Sequence, residues 1–597
     1  MLLSIFLTAL LPPAQASDTL QGVTVIADRG VVVSRTDTLS LENISSSDEL
    51  VYLAPSLGLS DYGGLSGLKS ISLRGLGSAH TAVYIDGVKA ANVQSGQPDL
   101  SFIDFRSLSS AVIDYAQNSI SFNTARPVFT SGQSFRGRAT LEAGSFGTWM
   151  PSARLDFRLS DRVGASANFG ALWSRGDYPL ADGTRRTNND IRQFRAGADF
   201  WGSLHRGEWH AKAYLNSAAR GVPGSSTYPS DDRQDDANAF IQGSLHKAFS
   251  DLYTLDLSAK ASLDEMFYTS SWGDNEYHQK SLQLNSTHRF ALGKRLGAAL
   301  NASVSHDALK ADSYEASRTG IAAGISASLD LRRLDINAGV QYDAWLDAGR
   351  GSRQALSPWA DLTLDLGGGA GLNAFVRRAY RVPTFNELYY AGYGNPELRP
   401  EDAVLSGLGL KWNRSSGDGW KLTASLDGFY NLLKDRISSA PTEEDPNIWL
   451  PYNIGRVEVL GAEAGLSLGH EGTRLDWGLR LKYAFQDATD RTPDGSSYGM
   501  QVPYIARHSL SAGAHASCRG WSASLDWILR CGRFDSYGQL PDWSSLNISA
   551  GKEFSLSGRL AMRLGVKALN LLDCRYEAVR YYPLPGRSLQ ASVAVTF

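Results

Sequence analysis

LDINAGVQYDAWLD, the stretch Leu334–Asp347, carries the pattern that decides the fold. One register holds Leu334, Ile336, Ala338, Val340, Tyr342, Ala344 and Leu346; the other holds Asp335, Asn337, Gly339, Gln341, Asp343, Trp345 and Asp347. Successive side chains of a β-strand point to opposite faces, so this period of two makes one face apolar and the other polar. The same alternation runs through residues 153–160, Val163–Ser174 and residues 253–264. Soluble β-sandwiches share it, but three features argue for a membrane barrel. The runs reach roughly 10 to 14 residues, the span of a tilted transmembrane strand rather than of an ordinary one. The polar register carries full charges, as a wet lumen would. The pattern also continues for about 460 residues with no second hydrophobic core, which about 22 strands would divide into about 21 residues each. A bilayer admits only helices or closed barrels, because every backbone polar group must be paired internally. The expected fold is an all-β membrane protein, a 22-stranded antiparallel transmembrane β-barrel over residues 133–597.

Composition agrees. Hydrophobic residues make up 43% of the 597, ordinary for a soluble chain and low for a helical membrane bundle. No apolar run has the 18 to 20 or so residues that a spanning helix needs. With 14 Trp, 25 Tyr and 22 Phe the chain has material for aromatic girdles at both membrane interfaces. A net charge of −3 gives no reason to expect nucleic acid as a partner. The cysteines are Cys518, Cys531 and Cys574, neither a disulfide framework nor a metal knuckle; Cys518 and Cys531 either pair across neighbouring strands or stand as free buried or lipid-facing thiols. MLLSIFLTALLPPAQA, residues 1–16, reads as a signal peptide ending in a small-x-small cleavage site, although its n-region lacks Lys and Arg. Two polar, turn-rich stretches, 220–224 and 229–236, are expected to be long external loops.

Several segments in order carry a family resemblance. LQGVTVIA, residues 20–27, resembles a TonB box, with Gln21, Gly22, Val23, Thr24 and Val25 at its centre. Such a box binds by adding a strand to a partner sheet, so main-chain hydrogen bonds carry the affinity. DELVYLAPSL, residues 48–57, is similar to the early helix of a plug domain. The pairing of an SISLRG strand, within residues 69–77, with a VYIDGV strand, residues 83–88, resembles the plug of TonB-dependent receptors. Asp86-Gly87 is itself a tight-turn signal, and Arg74 on a strand inside a polar barrel can pair with carboxylates on the wall. YRVPTFNEL (380–388), GNPELRPE (394–401), NLLD followed by Tyr576, PGR (585–587) and a last strand ending in Phe597 are similar to further segments of that family. The resemblance implies a box and flexible segment over 17–30, a plug over 31–132 in the lumen, and the barrel over 133–597. It also implies the outer membrane of a Gram-negative cell, contact with outer-membrane lipid, active import, and a partner in TonB of the inner-membrane TonB-ExbB-ExbD complex.

Within the family the chain most resembles cobalamin receptors, especially those of Bacteroidota, through DYGGLSGLK (61–69) and NVQSGQPDL (92–100). The resemblance puts Asp61, Tyr62, Gly63, Asn92, Gln94, Ser95 and Gln97 on plug loops that face outward and bind a corrinoid. Amides and hydroxyls supply donors and acceptors for an amide-rich ligand, and Tyr62 a flat face with one polar tip. The structural alternative is that both stretches are only glycine-rich turns. The plug ends in YAQNSISFN (115–123) rather than in the glycine-rich sequence common in the family, which fits the Bacteroidota variety. The resemblance also implies an associated surface lipoprotein and makes Asp231, Asp232, Asp235 and Asp236 a candidate calcium site, against the plainer reading of a solvated acidic run. Haem and ferric siderophores are the rival ligands; no His lies between Phe385 and Asn395, and His80 in the plug stands alone. A passive pore or adhesin needs neither box nor plug. No Ser/His/Asp order, metal-ligand cluster or phosphate-binding glycine loop points to an enzyme, and no resident cofactor is expected.

Overall fold

The computed structural model describes residues 36–597 apart from 43, 131, 442–448, 494 and 496; the box Gln21–Val25 and the signal segment lie outside the described residues. Among these, 22 antiparallel strands close into one barrel. The first strand, Phe135–Gly144, pairs with the last, Ser588–Thr596, through Ala143↔Ala591, Leu141↔Val593 and Ala139↔Val595. No helix among the described residues is long and apolar enough to cross a membrane.

The alternating registers separate as expected. In Val163–Ser174, Phe169 and Trp173 are exposed on the outer surface, while Ser166, Asn168 and Ser174 are buried against the lumen. Leu215, Ile241, Leu263, Leu284 and Ile325 continue the exposed apolar belt around the wall. Strands run from 9 residues, Ser588–Thr596, to 23, Trp449–Glu471, longer than the sequence runs suggest. At roughly 3.3 Å per residue the longest spans roughly 75 Å, well beyond a hydrocarbon layer of about 30 Å. The wall therefore rises above the membrane at one end. At the other end the turns are short, as at 205–206, 519–520 and 558–559; the tall end carries the connections 175–190, 382–400, 491–507 and 570–587. Short periplasmic turns and long external loops orient the barrel.

One expectation fails on this geometry, and one open alternative is decided. Residues 220–224 and 229–236 are not loops: they are the top of a hairpin, Gly207–Gly224 with Pro229–Ala248, closed by the turn 225–228. Their polar residues are tolerated in strand because that part of the wall stands above the bilayer and faces the lumen and solvent. Nor do Cys518 and Cys531 pair: the first opposes Trp521 at one end of a hairpin, the second opposes His508 at the other, and all three cysteines are free.

The plug sits in the lumen. Its main sheet has the order Thr36–Ser40, Leu108–Asp114, Ser119–Thr124, Ala82–Ile85, Val88–Ala90. Asp86 and Gly87 both take positive φ, 50° and 79°, the conformation of a two-residue hairpin turn. The SISLRG and VYIDGV segments do not share a sheet: Lys69–Leu73 pairs with Leu57–Asp61 in a separate two-stranded sheet. Between these elements a short helical stretch, Ser47–Glu49 and Leu50–Leu53, buries Leu50, Val51, Tyr52 and Leu53. The plug core gathers Leu41, Leu57, Leu73, Ile113, Ile120 and Phe122, with Ile528 of the wall packed against it.

Candidate functional site at the external face of the plug

The Leu57–Asp61/Lys69–Leu73 hairpin carries a loop toward the tall end of the barrel. Asp61 Oδ1 accepts from the N–H groups of Gly63 at 3.0 Å and Gly64 at 2.7 Å, closing the loop on itself. Gly67 packs so tightly that an added Cβ would lie 2.5 Å from the nitrogen of Gly63. Asp61 is 2% exposed and stands 3.6 Å from Lys69 Nζ, which binds Asp48 at 2.6 Å. Burial pushes the Asp61 carboxyl up to about 6; Lys69 opposes that shift and Asp48 adds to it. Tyr62 meets the edge of Tyr582 with ring centres 5.2 Å apart, tying the loop to the last external connection. Burial raises the Tyr62 phenol, with Tyr582 and Tyr393 contributing.

The second plug loop is built around Asn92. Its Oδ1 accepts from the N–H groups of Gln94 at 3.0 Å and Ser95 at 2.9 Å, and Ser95 Oγ lies 3.2 Å away. Gln94 is buried; its N–H reaches Gln279 Oε1 at 3.2 Å, and its carbonyl accepts from Asn386 N–H at 3.1 Å. Gly96, at φ 74°, packs where a Cβ would come 2.9 Å from Thr384 Cγ2. Gln97 Oε1 is buried without a partner. Thr384 and Glu387 form the capping box of a short helix, Phe385–Tyr389, within the YRVPTFNEL segment. Around it Tyr277, Leu309 and Phe385 form a core cluster joined by Val93, Tyr314, Tyr389 and Tyr390. Tyr314 OH donates to Asn386 Oδ1 at 3.1 Å.

The structure thus brings both predicted plug loops to the external face, beneath a set of tyrosines drawn from distant connections. Asp61 and Asn92 spend their side-chain oxygens within their own loops; Tyr62 turns a ring toward Tyr582, and Gly63 is backbone shape. The four aspartates do not converge. On the strand Pro229–Ala248, Asp231 and Asp235 point away from the face of Asp232 and Asp236. Asp232 Oδ2 accepts from Tyr268 OH at 2.6 Å, and Asp236 stands 3.2 Å from Arg220. The expected calcium cluster is therefore corrected: strand geometry divides the residues that the sequence places in one run.

Below this face, ion pairs fasten plug to wall. Arg74 donates to Glu463 at 2.8 Å and 3.3 Å and stacks on Tyr115 and Phe429, as its placement inside a polar barrel suggests. His80 lies 2.5 Å from Glu401, which also binds Arg381 of the YRVPTFNEL segment. Sequence reading misses the cluster of Asp86, Asp199 and His210, whose ligand atoms lie within 4.8 Å of one another. Lys212 Nζ sits among them, 2.8 Å from Asp199, 3.3 Å from Asp86 and 2.6 Å from Thr124 Oγ1. With an ammonium already in place, the cluster is an ion-pair joint rather than a metal centre. The i, i+2 spacing of His210 and Lys212 is the only local signal for it; the partners come from other strands.

Residues 132–571 match the family model described as TonB dependent receptor-like, beta-barrel, and residues 17–126 match the TonB-dependent Receptor Plug Domain. The chain is similar to a vitamin B12 transporter BtuB of Photobacterium profundum, 26% identical over 242 residues, 38% of this chain and 35% of that protein. The counterpart from Vibrio vulnificus is 28% identical over 226 residues, 36% and 33% of the two chains. An iron-regulated outer membrane virulence protein of Vibrio cholerae is 27% identical over 176 residues, 28% and 23% of the two chains. The chain spans about a third or less of the length of these curated relatives. Solved structures similar to it include the copper transporter OprC, TM-score 0.77 at 14% identity, covering 94% of this chain and 100% of that one. The FrpB iron transporter from Neisseria meningitidis (F3-3 variant) gives 0.74 at 13%, covering 94% and 99%. At such identity these structures speak to the fold alone.

Proposed function

The chain belongs to the TonB-dependent receptor family of outer-membrane β-barrels, and from that premise we propose that it imports cobalamin or a related corrinoid actively. The observation that carries the reading is the external face of the plug: two polar, glycine-shaped loops, at 61–69 and 91–99, the first placing Tyr62 against Tyr582 and the second packing Val93 with Tyr314, Tyr389 and Tyr390. Flat aromatic surface beside amide donors and acceptors suits a large ligand with an extended ring and many amide arms. The partial likeness to vitamin B12 transporters supports the same class. The likeness to the Bacteroidota variety, and the surface lipoprotein that goes with it, rests on the sequence alone, on residues 61–69 and 92–100, with 115–123 in keeping with it.

In this reading ligand engages the external loops, and TonB, energised through ExbB and ExbD, draws on the box Gln21–Val25. Coupling requires that ligand bind the two plug states with different affinity. The Asn386–Gln94 hydrogen bond and the Glu401–His80 contact are routes by which a shift of the 382–400 connection would reach the plug. The rival reading, a ferric siderophore or haem as ligand, has its support in the likeness to the iron-regulated Vibrio protein. A passive pore or adhesin fits poorly with a lumen occupied by a fastened plug.

Calorimetric titration of cyanocobalamin into the detergent-solubilised protein, beside haemin and a ferric siderophore, tests the substrate. Tight binding of the corrinoid alone is expected; binding of an iron compound alone would overturn the corrinoid reading. Deleting residues 20–27 should abolish uptake by cells and leave binding intact. Uptake that survives the deletion would sink the energised mechanism.

A further inference from the structure

Between plug and wall, under the external loops, lies a cavity of about 230 Å³. Of the four arginines that line it, Arg106 pairs with Glu142 and Arg195 donates to the Ser101 carbonyl and Gln193 Oε1; the two buried ones are Arg530, at the top of the strand Trp521–Cys531, and Arg533, just beyond that strand. They are 6% and 4% exposed. Among the described residues neither has a carboxylate within ion-pair distance. Arg530 Nη2 donates to the carbonyl of Leu57 at 2.5 Å. Arg533 donates to the carbonyls of Glu577 at 2.8 Å and Pro541 at 3.0 Å, and its Nε is buried without a partner. The nearby carboxylates are otherwise engaged. Asp535 is bound by Arg580, Asp542 is exposed and accepts from Gly532 N–H at 2.9 Å, and Glu577 accepts from Tyr581 N–H at 2.8 Å.

The rest of the cavity does not supply the missing charge. Asp48 and Asp61 are taken by Lys69, and Glu49 by Lys567 at 2.7 Å. Trp543, stacked on Tyr576 at 4.2 Å, presents a buried Nε1–H with no acceptor. Two buried guanidinium groups without counter-charge, beside two orphaned donors, are costly unless something anionic joins them. Guanidinium forks match the planar or tetrahedral oxygens of carboxylate and phosphate.

We propose that this chamber is a binding site for a small oxyanion of phosphate type, held by Arg530 and Arg533. The volume takes one such group with its waters. The group has two sources: free inorganic phosphate, or, resting on the corrinoid reading above, the phosphodiester arm of the imported ligand.

Inorganic phosphate titrated into the full-length solubilised protein tests the site. The wild type should bind it, and phosphate should raise the midpoint of thermal unfolding. Arg530→Gln and Arg533→Gln should each weaken binding about tenfold or more, the loss expected for a charge-assisted hydrogen bond. Arg530→Lys and Arg533→Lys keep the charge and should fall between, which decides the question if a glutamine variant fails to fold. No phosphate binding by the wild type, or undiminished binding in the folded variants, overturns the proposal. The source is separated by cyanocobalamin against dicyanocobinamide, which lacks the phosphodiester. In glutamine variants that have lost phosphate, weakened cyanocobalamin beside unchanged dicyanocobinamide assigns the site to the ligand; both corrinoids unchanged assigns it to the free ion. A wild type that binds phosphate but no corrinoid keeps the site and sinks the corrinoid reading.

Discussion

Replacing Lys212 with methionine tests whether charge fastens the plug to the wall. The ammonium donates to Thr124 Oγ1 at 2.6 Å and Asp199 Oδ1 at 2.8 Å, and stands 3.3 Å from Asp86 Oδ2. Methionine keeps the length of the side chain and removes its charge, leaving two carboxylates facing each other with little water. Breaking a buried ion pair by removing one partner costs about 3–5 kcal/mol. His210, 2.9 Å from Asp199, keeps its hydrogen bond to that carboxylate, so the lower figure of about 3 kcal/mol is expected. At about 1.4 kcal/mol per tenfold, the hairpin at residues 82–90 and its neighbour Ser119–Thr124 should open about a hundredfold more often. Hydrogen exchange read by mass spectrometry reports this directly, with the wall strand Leu334–Asp347 as an internal control. Adding Asp86→Asn and Asp199→Asn to Lys212→Met should restore much of the protection, because the stranded charges go with the lysine. Unchanged exchange in Lys212→Met, or a rise spread equally over plug and wall, would refute the fastening argument.

Asp61 predicts a pH effect. Its carboxyl lies near 6 when folded against 3.8 ordinarily, so its contribution to stability is present below about pH 4 and is lost as pH rises through about 6. Asp61→Asn keeps an oxygen for Gly63 and Gly64, so thermal unfolding should show the wild type losing ground to the variant across that window; parallel curves contradict the assignment. Gly96→Ala places a Cβ 2.9 Å from Thr384 Cγ2 at a φ of 74°, and should cost about 1–2 kcal/mol and lower the midpoint of unfolding. Thr384→Ser, which keeps the helix cap, should recover the contact part of that loss and not the backbone part. Asn92→Ala removes the acceptor that shapes the 91–99 loop, and cyanocobalamin affinity measured by calorimetry should fall about tenfold.

The fold was legible in the sequence because lipid and lumen impose opposite demands on alternate residues. Leu334–Asp347 needs no partner to show its period, and the same run gave strand, face and membrane. Strand length was not legible: Gly207–Gly224 and Pro229–Ala248 continue past the bilayer, where the lipid-facing constraint ends and the residues look like loop. The candidate site was legible only in part. DYGGLSGLK and NVQSGQPDL betray themselves by turn chemistry, which is local, and both reach the external face. The tyrosines over them come from connections hundreds of residues apart, as with Tyr62 and Tyr582, and nothing in either neighbourhood announces the other. The joint at Asp86, Asp199 and Lys212 was hidden for the same reason. The acidic run at 231–236 misled because closeness in sequence along a strand means opposite directions in space.

Closure of the wall divides the mechanical labour of the molecule. A barrel whose first and last strands pair has no free border, so load spreads around its whole circumference. The plug sheet does have borders, and one of them, Thr36–Ser40, is where the described chain begins. Five residues long and joined only to Leu108–Asp114, it is also held to the wall by Asp37 and Lys482. Tension arriving from the N-terminal side therefore meets the thinnest seam first. Peeling it would draw Leu39 and Leu41 out of the plug core while the wall stands unloaded. The rigid part and the yielding part are thus assigned by topology before any ligand or motor is considered.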